Sequence, residues 1–154
     1  MTAIRRRLPA VFMIACLLLG LVAPLAAQAR EMVSTARVDV PMRTGPSARH
    51  AAKWTLSRGY PLTVTGRQGA WLRVRDFEND QGWVLRSHTG ATPHHVAKAS
   101  VLNIRGTPST RGRIVGKAAY GDVLRTLERR GDWVKVRHER GTVGWVSRRL
   151  VWGW

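Results

Sequence analysis

The sequence predicts an all-β protein: two small closed β-barrels in tandem, behind an N-terminal segment that marks the chain for export. Three observations carry this expectation. A set of motifs recurs at a constant offset of 62 residues. In both copies the apolar residues alternate with period two over short runs separated by turn formers, with no helical period between them. Residues 1–29 have the layout of a secretory signal peptide.

The export segment comes first. Arg5-Arg6-Arg7 forms a basic start, residues 11–22 an apolar stretch, and Ala27-Gln28-Ala29 an A-x-A cleavage site. The mature chain is then expected to begin at Arg30 and to reside in the periplasm or outside the cell. The alternative is an uncleaved anchor, since residues 8–27 could span a bilayer, although Pro9 and Pro24 interrupt them. With cleavage, membrane contact is transient, through this segment alone. Cys16 is the single cysteine. The mature part therefore has no disulfide, thiol nucleophile or thiolate metal site.

The repeat sets the domain plan. Arg43-Thr44-Gly45-Pro46-Ser47 is echoed by Arg105-Gly106-Thr107-Pro108-Ser109, Gly69-Ala70-Trp71-Leu72 by Gly131-Asp132-Trp133-Val134, and Gly82-Trp83-Val84 by Gly144-Trp145-Val146. The first copy is expected over 35–88 and the second over 96–154. Residues 89–95, with turn formers and no apolar period, read as the linker. Units of this size bury only about 60% of their unfolded surface. The seven tryptophans compensate, because each buried aromatic removes about 150–250 Å² from water.

The elements follow in order within each copy. Residues 37–42 and 99–104 alternate as first strands. Pro46 and Pro108 mark a loop that cannot continue a central strand. Residues 61–65 match 123–127. Gly69 and Gly131 turn the chain into strands whose inner face is Leu72/Val74 or Val134/Val136. Residues 76–81 and 138–143 are hairpin connections into final strands beginning at Gly82 and Gly144. About five short strands per unit, spaced by turns, read as a small barrel that protects its own strand edges.

This order of motifs resembles the bacterial SH3-like (SH3b) family: an N-R-x-G-P-S type start, then G-x-x-L, G-x-W-x-x-V and G-W-V. The resemblance covers nearly all of the mature chain and implies two SH3-like barrels. It implies non-catalytic modules, many of them attached to cell-wall hydrolases and binding peptidoglycan, others binding peptides. The chain departs from the pattern at Pro41, where the second copy has Asn103, and at Thr107, where the first has Gly45. Trp54 of the first copy faces Gly116 in the second.

The whole chain carries a formal charge of +17, and loss of the three arginines in the export segment leaves +14. Such a field attracts polyanions. Export removes nucleic acid from the list of partners and leaves peptidoglycan or another anionic envelope component. The other expected partner is a periplasmic protein, for which the chain would act as an adaptor holding extended peptides.

The candidate binding residues are Arg43, Trp54, Tyr60, Trp71, Arg105, Tyr120 and Trp133. Trp71 and Trp133 have two readings: they cover a barrel end, or they line a groove where aromatic faces meet sugars and prolines. Arg43 and Arg105 either bridge loop carbonyls or hold a carboxylate bidentately. Trp54 is a binding aromatic or a plug between barrels. Trp152 and Trp154 pack onto a barrel or fill the groove of the second copy. No cofactor or metal is expected, because His88, His94 and His95 fall in a solvated loop pattern. Nucleophile-elbow, zinc-hydrolase and phosphate-loop patterns are absent, and the acids are mostly in turns without visible pairing, so no catalytic residues are expected.

Overall fold

Residues 30–154 are described by a computed structural model; the predicted export segment, 1–29, lies outside the described residues. The first copy forms β1 (Met32–Thr35), β2 (Val40–Arg43), β3 (Ala52–Leu56), β4 (Pro61–Gln68), β5 (Trp71–Arg75), β6 (Gln81–Leu85) and β7 (Thr89–Gly90). The second forms β8 (His94–Ala97), β9 (Val101–Arg105), β10 (Ile114–Ala119), β11 (Val123–Arg130), β12 (Trp133–His138), β13 (Val143–Ser147) and β14 (Val151–Gly153). Each copy is one antiparallel sheet, in the order β3-β2-β6-β5-β4-β1-β7 and β10-β9-β13-β12-β11-β8-β14. A single 3-10 turn precedes the last strand of each, at Arg86–His88 and Arg148–Leu150.

The predicted alternation decides what is buried. Val40, Met42, Leu56, Leu62, Leu72, Val74 and Val84 form the first core. Leu102, Ile104, Ala118, Leu124, Val134, Val136 and Val146 stand at the same positions 62 residues later and form the second, joined by Ala97 and Val151. Because β2 to β6 all contribute to one core, each sheet must roll around it into a barrel. Long β4 and β11 carry the bend: their register shifts between Val64 and Gly66 and between Thr126 and Glu128, as a bulge does when it increases local twist.

Three differences from the sequence expectation have local causes. Each barrel has seven strands, not five, because the lead-in (β1) and the flanks of the expected linker (β7, β8) pair into the sheets. Two- to four-residue strands are too short to show alternation, and they form because β1 and β8 find backbone partners on β4 and β11, and β7 and the C-terminal β14 then pair with β1 and β8. Of the expected linker 89–95, Ala91, Thr92 and Pro93 alone lie outside strands. The expected strand from Arg37 begins only at Val40: Asp39 takes a positive φ of 55° and Val38 is 68% exposed. A short polar side chain tolerates that conformation better than most.

Gly144 is required by close approach. A Cβ there would lie 2.6 Å from the Arg105 carbonyl oxygen and 2.7 Å from Ile104 Cγ2. Gly144→Ala must push β9 and β13 apart, and overpacking of this kind costs about 1–3 kcal/mol. The expected result is a lowered thermal unfolding midpoint for Gly144→Ala. Gly131→Asn, where a Cβ would meet nothing within 4 Å and Asn tolerates a positive φ, should change it much less.

Candidate functional site

The outward face of β5 and β6 is set by the same alternation that buries Leu72, Val74 and Val84. Trp71, Arg73 and Arg75 point outward from β5, and Gln81, Trp83 and Leu85 from β6. Arg73 pairs with Trp83, Trp71 with Leu85, and Arg43 of β2 with Trp83 on its other side. Directly opposed residues share a face, so Arg43, Trp83 and Arg73 form a strip with Trp71 beside it. The second barrel repeats it as Arg105, Trp145 and Lys135 beside Trp133.

The two arginines that begin these strips brace loops. Arg43 Nη1 donates to the His50 carbonyl at 2.7 Å, and Arg105 Nη1 to the Gly112 carbonyl at 2.8 Å. Both loops also carry the turn in which Ser47 or Ser109 Oγ accepts a backbone N–H two residues on. Of the two readings of these arginines, the structure displays the bridging of loop carbonyls, twice with the same geometry.

The strips differ in access. Trp145 is 7% exposed, with the Arg130 guanidinium and the Lys135 ammonium each 5.9 Å from its ring centroid. Trp83 is only half-buried, and among the described residues no cation stacks on it. The reason is three differences between the copies. Gln68 stands where the second copy has Arg130. Arg73, which stands where the second copy has Lys135, donates to Gln81 Oε1 at 3.0 Å, and the second copy has Val143 in place of that acceptor. The first barrel thus presents an open tryptophan beside basic groups, and the second a covered one.

The other predicted residues separate. Trp54 lies opposite Met42 on β3, off the strip; it is 47% exposed, which does not fit a plug between barrels. Tyr60 packs on the first core, and burial, then the Asp76 and Glu78 carboxylates, raise its phenol above the ordinary range. Its ring lies 6.3 Å from Phe77, and Phe77 lies 5.4 Å from Tyr120. Tyr120 OH donates to Glu78 Oε1 at 2.6 Å. Tyr60 and Tyr120 are therefore joined through Phe77 in a contact between the barrels. Sequence reasoning missed Phe77 and Glu78 because both sit in a hairpin without repeat partners of their type.

Trp154 belongs to the same seam. Its Nε1–H donates to Ser34 Oγ at 3.2 Å and its backbone N–H to the His94 carbonyl at 3.1 Å. It packs between the barrels and leaves the outward face of the second barrel alone.

Asp76, Glu78 and Asp80 bring their carboxylates within 4.8 Å of one another, a grouping the sequence did not reveal. Asp76 Oδ1 is already committed to the Glu78 and Asp80 N–H groups, at 2.9 Å each. At the matching position His138 Nδ1 accepts the Arg140 N–H, while Nε2 meets Asp122 Oδ2 at 3.1 Å. The two hairpins use different chemistry for one structural task.

Models of the bacterial SH3 domain match residues 36–89 and residues 100–151. YrvJ of Bacillus subtilis (strain 168), which carries the provisional name N-acetylmuramoyl-L-alanine amidase, is 23% identical over 137 residues, covering 82% of this chain and 26% of that protein. This chain spans about a quarter of that relative's length. Two solved structures are also similar. NlpC1 from Trichomonas vaginalis has 14% identity and a TM-score of 0.35, with 82% of this chain and 47% of that one covered. An NlpC/P60 family protein from Bacillus cereus ATCC 10987 has 13% identity and a TM-score of 0.36, with 79% and 56% covered. No helix among the described residues is long and apolar enough to cross a membrane.

Proposed function

The chain belongs to the bacterial SH3 domain family, carrying two such domains in tandem, and from that premise we propose that it is an exported, non-catalytic binding protein of the bacterial envelope whose first barrel holds peptidoglycan. The observation that carries this reading is the open strip of Trp83, Arg73 and Trp71 on the first barrel. Tryptophan faces cover the C–H surfaces of sugars, and guanidinium forks match carboxylates such as those of a peptide stem. The charge of +14 after export draws the protein to an anionic wall before any specific contact forms. The name of the Bacillus subtilis relative points to the same polymer, and what is proposed to be shared is its recognition, not its cleavage.

The test is sedimentation of the protein, purified after expression of the full chain, with purified peptidoglycan sacculi. Co-sedimentation that weakens as salt rises, without release of soluble wall fragments, is the expected result. Equal recovery in the supernatant with and without sacculi would overturn the reading. Release of fragments would overturn the non-catalytic part. Cell fractionation, with the protein expected in the periplasm or medium, tests the export.

A further inference from the structure

Between the barrels lies a pocket of about 310 Å³, walled by Ser34, Thr35 and Arg58 on one side and Thr92, His94 and Arg125 on the other. No carboxylate lines it. Among the described residues neither the Arg58 nor the Arg125 guanidinium makes a hydrogen bond or ion pair. Burial first, and then the charges of Arg125 and Arg58, hold His94 below the usual imidazole range, against the pull of the Thr92 carbonyl that its Nδ1 meets at 2.9 Å. Both guanidinium groups therefore act on one small space. His94 is neutral there at neutral pH and keeps its Nδ1–H on Thr92.

Arg58 and Arg125 are both exposed and line one pocket that holds no carboxylate, so an anion entering it can accept hydrogen bonds from two guanidinium groups at once. The pocket opens into a larger cleft of about 610 Å³ that shares Arg58, His94 and Arg125 and adds the apolar Val38 and Val123. The acids of that cleft, Asp39, Asp122 and Glu139, lie outside the smaller pocket. Arg58 and Arg125 have no arginine counterparts at the 62-residue offset, where Tyr120 and Thr63 stand. Among the described residues the pocket therefore has no repeat counterpart, and it needs both barrels.

We propose that this pocket is a composite carboxylate site for a short peptide, distinct from the outward strip. Arg58 and Arg125 hold the carboxylate from opposite barrels, and the rest of the peptide runs into the larger cleft across Val38 and Val123. Neither barrel alone contains the site.

NMR titration of the ¹⁵N-labelled protein tests this, with alanyl-alanine, its C-terminal amide, and N-acetylglutamate amide as probes. The expected result is saturable shifts at Ser34, Thr35 and Thr92 with a carboxylate-bearing probe, a rise in the His94 pKa on saturation, and no response to alanyl-alanine amide. Response to alanyl-alanine assigns a terminal carboxylate; response to N-acetylglutamate amide assigns a side-chain one. Arg58→Gln and Arg125→Gln should each weaken binding at least tenfold with unchanged unfolding midpoints, while Arg86→Gln, away from the seam, leaves it within twofold. Equal response to the amide, undiminished binding in both cleft variants, or an equal loss in Arg86→Gln would overturn the proposal.

Discussion

Trp83→Ala should reduce co-sedimentation with peptidoglycan at least tenfold. An aromatic anchor at the centre of a contact contributes about 2 kcal/mol or more when truncated, and 1.4 kcal/mol is already a factor of ten. Trp83 is less covered than Trp145 and carries no stacked cation, so its loss should show in binding more strongly than the loss of Trp145 does. Trp145→Ala, at the matching position of the second barrel, should do the reverse. That side chain is 7% exposed and sits beneath Arg130 and Lys135, and removing a buried tryptophan costs about 3–5 kcal/mol. Denaturant unfolding of both variants beside sacculus sedimentation separates the two effects. If Trp83→Ala sediments like the unaltered protein, the open strip is not the wall-binding surface.

Acid should destabilise the second barrel through His95. This imidazole is 4% exposed. Its Nδ1 lies 2.7 Å from Thr126 Oγ1, whose own hydroxyl hydrogen goes to the Trp154 carbonyl at 2.9 Å, so Nδ1 carries a hydrogen and donates it. Burial, then the charges of Arg129, Arg148 and His94, push its pKa down to about 4. In the unfolded chain the ring titrates near 6.5. Between those values the unfolded state takes up a proton that the folded state refuses. Stability is therefore flat above pH 6.5 on this account, falls as pH drops, and has lost about 3 kcal/mol by pH 4. The first barrel has Val33 at the matching position and escapes this effect. Denaturant unfolding at pH 7 and pH 4 checks it, with most of the difference expected to vanish in His95→Asn. An unchanged pH dependence in that variant rules His95 out as the source.

The fold was legible because the core is where the copies agree. Seven buried positions recur at one offset, each apolar in both copies, and those of β2, β5 and β6 lie in period-two runs. The binding surface was legible only in part. Trp71 and Arg43 were recognised as repeated residues, but Trp83 stood out no more than Trp145, since both occupy a Gly-Trp-Val motif. What distinguishes them is Arg130, which reaches Trp145 from the neighbouring strand where the first copy has Gln68, and Gln81, which holds Arg73 across the strands where the second copy has Val143. The seam was harder still. Tyr60 and Tyr120 read as unmatched aromatics available to a ligand, and Trp154 as packing onto a barrel or filling the second groove; in the structure Tyr120 meets Phe77 and Glu78 of the first barrel, Trp154 meets Ser34, and Tyr60 packs beside Phe77 of its own barrel.

By itself the sequence determined that the chain is all-β, that it is built twice, which face of each strand is buried, and that the molecule is strongly cationic. These are properties of single strands and of sums over residues, and periodicity and composition carry them without reference to distant partners. The tertiary structure alone decided which tryptophan is open and which arginines brace loops. It also decided that Arg58 and Arg125, one from each barrel and far apart along the chain, face the same pocket. Those outcomes depend on cross-strand register and on the docking of two barrels, where a side chain's neighbours are chosen by the path of the backbone rather than by adjacency in sequence.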